Sequence, residues 1–316
     1  MNYLVTGAAG FIGSHLCKKL IRDGAHIVAL DAFTDFYSRS IKENNIKSLI
    51  NHPHFELMPV DILETNIDEI MNKVDVVFHF AAQPGVRTSW GSDFSIYTKN
   101  NIDATQRLLE AAKKSTLKKF IYASSSSVYG LSPLLPMKET STLHPYSPYG
   151  VTKLAAENLC FLYYKNYGIP CVSLRFFTVY GPGQRPDMAF HKFFKSILLG
   201  EEITVFGDGQ QTRDFTFIDD IIWANLSSIE NGRAGENYNL GGGTRIKLAD
   251  VVPIFEHICK KKVNIRYVPG QKGDVRHTFA DIQKAKNDLK YIPKNTLEEG
   301  LGAEWDWIKT LNLGKI

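Results

Sequence analysis

The chain has 316 residues, 44% of them hydrophobic and 22% charged, and carries a net charge of +4. This is ordinary globular composition, long enough for one large or two modest domains with a real core. The small charge argues against nucleic acid as the main partner and suits a small anionic one, and no run of about 18 apolar residues exists to cross a membrane.

The first residues enter a strand with no charged leader and no cleavage site, which predicts a cytoplasmic protein. Cys17, Cys160, Cys171 and Cys259 lie far apart with no C-x-x-C, so they are expected to be reduced, buried thiols without a metal. Residues 2–6 form a short apolar run that meets Gly7, Gly10 and Gly13. An amphipathic helix over 14–21 follows, Gly24 stops it, and a second strand over 26–30 ends at Asp31. Strand, glycine loop, helix, strand and acid in this order predict a dinucleotide site. The glycines let the backbone approach a pyrophosphate, which rests on the helix N-terminus. Asp31 falls where a carboxylate takes the hydroxyls of the adenosine ribose. The nearest following arginine is Arg39, which favours NAD over NADP.

Further strands are expected over 55–60, 74–82 and 118–123, with a helix over 101–113 among them. Alternating strands and helices predict an α/β fold, a doubly wound parallel sheet covered on both faces. Gly7, Asp31, Asp61, Ala81 and the run Ser124 to Ser127 all stand at strand ends, where ligands gather in such sheets. After a proline-rich loop come Tyr149 and Lys153, one helical turn apart. A serine, a tyrosine and a lysine around a nicotinamide form a hydride-transfer site, in which the ammonium favours the phenolate.

Here the chain resembles the extended short-chain dehydrogenase/reductase family, through Gly7 to Gly13, Asp31, Asp61-Ile62, His79 to Ala82, Asn100-Asn101, Ser124 to Gly130, Tyr149 to Lys153 and Arg175 to Pro182. The resemblance implies a Rossmann-like sheet and tightly bound NAD. It also implies NAD contacts from Gly7, Gly10, Phe11, Ile12, Gly13, Asp31, Asp61, Ile62, Phe80, Ala81, Ala82, Gln83, Asn100, Tyr149, Lys153 and Phe177. The segments from Val205 and from Arg213 look like the nucleotide-sugar branch. They imply a uracil pocket at Val205 and Phe206 and a diphosphate clamp of Arg213 and Arg276.

Two details narrow the implied reaction. Gly183 to Phe190 is similar to the corresponding loop of UDP-glucuronate 4-epimerases, as is Gln83 to Ser89, with Pro84 where alanine is usual. A uronate needs extra donors, which Arg185, Thr178, Ser125, Ser126 and Ser127 can supply, with Arg87 as a second candidate. The alternative is that Arg185 binds only phosphate or uridine. In addition, Ser126-Ser127 stand where related dehydratases and decarboxylases carry acid, and loss of a hydroxyl needs a general acid.

The resemblance therefore implies epimerisation of UDP-glucuronate to UDP-galacturonate through a 4-keto sugar. Tyr149 would be the base, Lys153 would lower its pKa and hold the nicotinamide ribose, and Ser125, or Ser127, would orient the 4-oxygen. Competing readings are a UDP-glucose or UDP-N-acetylglucosamine 4-epimerase, a UDP-glucuronate decarboxylase, and an NAD-binding scaffold without chemistry.

Residues 1–175 are expected to bind NAD and 176–316 mainly the UDP-sugar, with a segment near 214–245 returning to the first part. Helices are expected over 188–199, 248–262 and 304–311, and a strand and helix over 214–229. Leu154, Leu159, Phe161, Leu162, Tyr163 and Tyr164 exceed what one helix face needs. With the helix from Asn101 they resemble the four-helix dimer interface of this family, implying a homodimer.

Overall fold

The computed structural model describes residues 1–311. The first half alternates strand and helix: β1 (Asn2–Thr6), α1 (Phe11–Arg22), β2 (His26–Leu30), α2 (Arg39–Ile46), β3 (Phe55–Met58), α3 (Ile67–Met71), β4 (Val76–His79), α4 (Phe94–Tyr97), α5 (Ala104–Ala112), β5 (Lys119–Ser125), α6 (Pro148–Tyr167) and β6 (Cys171–Phe176). The second half adds β7 (Thr178–Tyr180), α7 (Ala189–Leu199), β8 (Ile203–Phe206), β9 (Thr212–Phe217), α8 (Ile218–Asn231), β10 (Asn237–Leu240), β11 (Arg245–Lys247), α9 (Leu248–Cys259), β12 (Ile265–Val268), α10 (Gln283–Leu289) and α11 (Leu297–Thr310).

Strands separated by helices cannot close hairpins, so they lie parallel. Seven do so in the order β10-β6-β5-β4-β1-β2-β3, an α/β Rossmann-like sheet. The chain direction across the sheet reverses between β1 and β4, and a crevice opens at their C-terminal ends. Both faces are covered, which is why β4 and β6 are buried at every position.

Two small sheets, β11-β9-β7 and β12-β8, stand on the far side of that crevice. The strand expected to return near Asp214 is β9, and it joins β7 and β11 instead of the large sheet. The edge of β6 is taken by β10. Helix α8, between them, packs on α1, β5 and β6.

Several boundaries differ from the sequence reading for local reasons. Helix α1 starts at Phe11, directly on Gly10, rather than at residue 14. β3 stops at Met58, where Pro59 has no N–H for the ladder. β4 is shorter than 74–82 because the chain beyond His79 turns along the crevice. The helix expected from Asn101 is preceded by a wide π-helical stretch, Thr98–Asp103, a feature common at functional sites. α11 begins at Leu297, earlier than expected, with Thr296 and Glu299 closing a capping box.

All four cysteines are free and buried. Among the described residues no helix is long and apolar enough to cross a membrane.

Candidate active site

A cleft of about 800 Å³ follows the C-terminal ends of the parallel strands. Gly7, Gly10, Phe11, Ile12, Gly13, Asp31, Asp61, Ile62, Phe80, Ala81, Ala82, Asn100 and Phe177 all line it. Gln83 does not. Its backbone N–H and carbonyl are both taken by the Asn101 side chain, at 2.7 and 3.1 Å.

The glycine loop fits a dinucleotide. Gly7 has φ +68°, and a Cβ there would come within 2.8 Å of the Ala81 nitrogen, so only glycine lets β1 turn so close to β4. Gly10 caps α1 with no side chain over the helix end, and the first-turn N–H groups face the cleft. Asp31 is pinned by the amides of Ala9 (3.0 Å) and Phe33 (2.9 Å). Each of its oxygens keeps a free lone pair for a ribose hydroxyl.

Tyr149 lies on the first turn of α6, where the Ser147 hydroxyl accepts from the Gly150 amide (3.1 Å) and Pro148 occupies the first turn. A Cβ at Gly150 would meet the Ser127 carbonyl oxygen at 2.6 Å. The bare backbone therefore lets the helix start settle on the serine turn, and Tyr149 and Ser125 line the same cleft. Ser125 Oγ also accepts from the Ser127 amide at 3.1 Å, fixing its direction. Burial pushes the Tyr149 phenol up, and the Arg185 charge and the Ser125 hydroxyl pull it back.

Lys153 Nζ donates to the Ala123 carbonyl at 2.7 Å and lies over the Tyr122 ring, 4.9 Å from the centroid. Burial pushes it down to about 7. Lys153 is thus turned to β5, and its burial in a low dielectric disfavours the charged form.

On the opposite wall stand Arg87, Thr178, Arg185, Phe206, Arg213 and Arg276, with Ser125, Ser126 and Ser127 at the floor. Val205 is elsewhere: strand alternation buries Ile203 and Val205 and turns Thr204 and Phe206 to the cleft. Arg185 makes a two-point pair with Asp187, at 2.9 and 3.0 Å. Arg87 pairs with Asp274 at 2.7 Å and lies over the Phe206 ring at 4.2 Å. Arg276 pairs with exposed Asp208 at 2.8 Å. Arg213 donates to the carbonyls of Thr212 and Arg276, at 2.9 and 3.1 Å, and pairs with no carboxylate among the described residues. Seven lysines and arginines face five aspartates across the cleft, a surplus of cations that suits an anionic ligand.

The NAD dependent epimerase/dehydratase family matches residues 3–241. The chain belongs to that family. A UDP-glucuronate 4-epimerase of Thermodesulfobacterium geofontis is 38% identical, over 97% of this chain and 96% of that one. An uncharacterised UDP-glucose epimerase of Bacillus subtilis is 44% identical over the full length of both. The crystal structure of the Bacillus cereus UDP-glucuronic acid 4-epimerase, in complex with UDP-glucuronic acid and NAD, is 47% identical, with a TM-score of 0.95 over 98% of this chain and 99% of that chain.

Within this epimerase/dehydratase frame, the cleft includes residues that the sequence did not single out. Lys42, on α2, donates to the Thr34 carbonyl at 2.5 Å and is buried at the cofactor side. Lys192 and Gln211 line the other wall. Nothing in their local pattern separates them from surface residues. Asp187 and Asp274 were equally silent, although each sits two residues from an arginine of the cleft, and that spacing is a usable signal.

Proposed function

We propose that this protein is a UDP-glucuronate 4-epimerase, interconverting UDP-glucuronate and UDP-galacturonate through a 4-keto sugar with NAD held tightly in the cleft. The observation that carries the reading is Arg185 beside the reacting tyrosine, over a serine run with no acid. Bound NAD+ supplies the acceptor for the hydride from C4 and, once reduced, its donor to the opposite face.

The chain's own residues do the rest. Tyr149 takes the proton of the 4-hydroxyl and returns it, so its oxygen must stay on Ser125, which orients the same substrate oxygen. Ser127 is the second choice for that contact. Lys153 holds the nicotinamide ribose and the end of β5. Arg213 and Arg276 hold the diphosphate, and Phe206 borders the uracil. Arg185, Thr178, Ser126 and Ser127 take the sugar carboxylate, with Arg87 as the second candidate. The 4-keto uronate is a β-keto acid, and donors on its carboxylate keep the C5–carboxyl bond out of alignment with the ketone. No acid stands in the serine run to expel a hydroxyl, so nothing is lost from the sugar.

Residues 1–175 read as the NAD-binding domain, with α8 and β10 as the returning segment, and the remainder as the UDP-sugar domain. Exposed Phe161 and Leu162 on α6 support a homodimer. Four free thiols support a reducing compartment, the cytoplasm. A neutral UDP-hexose 4-epimerase is the second reading, favoured by the name of the Bacillus subtilis relative.

Incubation with UDP-glucuronate, without added NAD, should give a UDP-galacturonate peak. Faster turnover of UDP-glucose would move the assignment to the second reading, and a UDP-pentose with released CO2 would overturn both.

A further inference from the structure

The stripe that carries Tyr149 and Lys153 continues one turn on to Glu157. A lysine and a glutamate four residues apart on a helix are neighbours and normally attract. Both are buried here, at 4% and 2% exposure, yet Lys153 bonds to Ala123 rather than to Glu157. The carboxylate is occupied from β6. Arg175 donates Nε to Oε2 (3.1 Å) and Nη2 to Oε1 (2.5 Å), and Ser124 Oγ donates to Oε2 (2.6 Å). The other side of the guanidinium is anchored too, with Nη1 donating to the Tyr129 hydroxyl (2.8 Å) and the Glu139 carbonyl (3.2 Å).

We propose that Arg175 is a positioning residue for the chemistry at Tyr149: its fork holds both oxygens of Glu157 and so keeps that carboxylate off Lys153. The inference rests on the reading of Lys153 as a partner of Tyr149. A bare carboxylate one turn away, in a medium of low dielectric, would draw the ammonium from Ala123 and lock the proton on it. The titratable groups around Lys153 are Tyr149, Glu157 and Cys160 on its own helix, Tyr122 on β5 and His79 on β4, with Cys171 of β6 behind Cys160. Glu157 is the acid among them, so the fork of Arg175 decides whether Lys153 is paired. The same clamp fixes Ser124, and through it the neighbouring Ser125 that faces Tyr149.

The test reads the Lys153 amine directly, by pH titration of its Cε signal in purified holoenzyme labelled with [ε-13C]lysine, assigned by its loss in Lys153→Arg. In Arg175→Gln the midpoint should rise by about one pH unit or more, a tenfold change in proton affinity. Glu157→Gln/Arg175→Gln should return it to the wild-type value, since the carboxylate is gone. Arg175→Lys, which keeps the charge but cannot hold two oxygens at once, should lie between. An unchanged midpoint in Arg175→Gln or Arg175→Lys, or a double variant as displaced as the single, overturns the proposal. If Arg175→Gln does not fold, Arg175→Lys carries the decision. The titration needs no turnover, so failure of wild-type enzyme to epimerise UDP-glucuronate would sink the proposed function and leave this result readable.

Discussion

The ammonium of Lys153 sits 2.7 Å from the carbonyl oxygen of Ala123, and burial brings its pKa down to about 7. In the unfolded chain a lysine titrates near about 10.4. Between these values the unfolded state binds more protons than the folded one, so stability rises with pH across that window. Below it the penalty of burying the charge is fully present. Lys153→Met should therefore stabilise the cofactor-free protein by roughly 2–4 kcal/mol at acidic pH, and by progressively less as pH rises from about 7 toward about 10. Thermal unfolding of both proteins across that range checks it; a gain that does not change with pH would contradict a charge-burial cost.

Tyr149→Phe removes the hydroxyl on the Ser125 side of the cleft and leaves the ring in place. Turnover should fall by at least about a hundredfold, the worth of a positioned proton-transfer group. NAD should still co-purify, because the glycine loop and Asp31 are untouched. Product chromatography and the nucleotide released on denaturation read the two outcomes separately.

Arg185→Met should discriminate between substrates. A charge-assisted hydrogen bond is worth about 1.5–3 kcal/mol, so kcat/KM for UDP-glucuronate should drop by about ten- to a hundredfold. UDP-glucose, with no carboxylate, should lose less. Release of CO2 should increase, because the carboxylate is no longer held. Equal losses on both sugars would assign Arg185 to the phosphates or uridine.

The Arg87–Asp274 pair crosses the cleft mouth, with side chains 42% and 29% exposed. A pair so open to water contributes under about 1 kcal/mol to stability. Asp274→Asn should leave the unfolding temperature nearly unchanged and speed UDP-sugar dissociation, as measured by stopped flow. A large loss of stability with unchanged dissociation would reverse that assignment.

Phe161 and Leu162 are 49% and 50% exposed on α6, more apolar surface than a free helix face favours. Phe161→Glu should halve the sedimentation mass of a dimer. A wild-type mass near one chain weight would remove the interface altogether.

The sheet was legible because its signals are short-range. Buried parallel strands read as unbroken apolar runs, and the glycine loop with Asp31 spans a single strand–helix–strand unit. Ser125, Tyr149 and Lys153 were legible for the same reason, each standing at a recognisable strand end or helix start. Which of Val205 and Phe206 meets the cleft was not legible, because a two-residue periodicity does not say which face meets the core. The grip of the Asn101 side chain, which reaches the Gln83 backbone from the π-helical stretch, was not legible in the local pattern.

By itself, then, the amino-acid order set a tyrosine, a lysine and a serine at positions 149, 153 and 125, laid the bed for a dinucleotide, and put no acid at Ser126 and Ser127. Those properties depend on residue type and local backbone. The tertiary structure decided which charge answers which. Arg185 pairs with Asp187, Lys153 turns to Ala123, Arg175 takes Glu157, and Arg87 meets Asp274 across 187 positions of chain. A charge in a low dielectric is governed by whatever group packing brings within a few ångströms, and no local pattern carries that information.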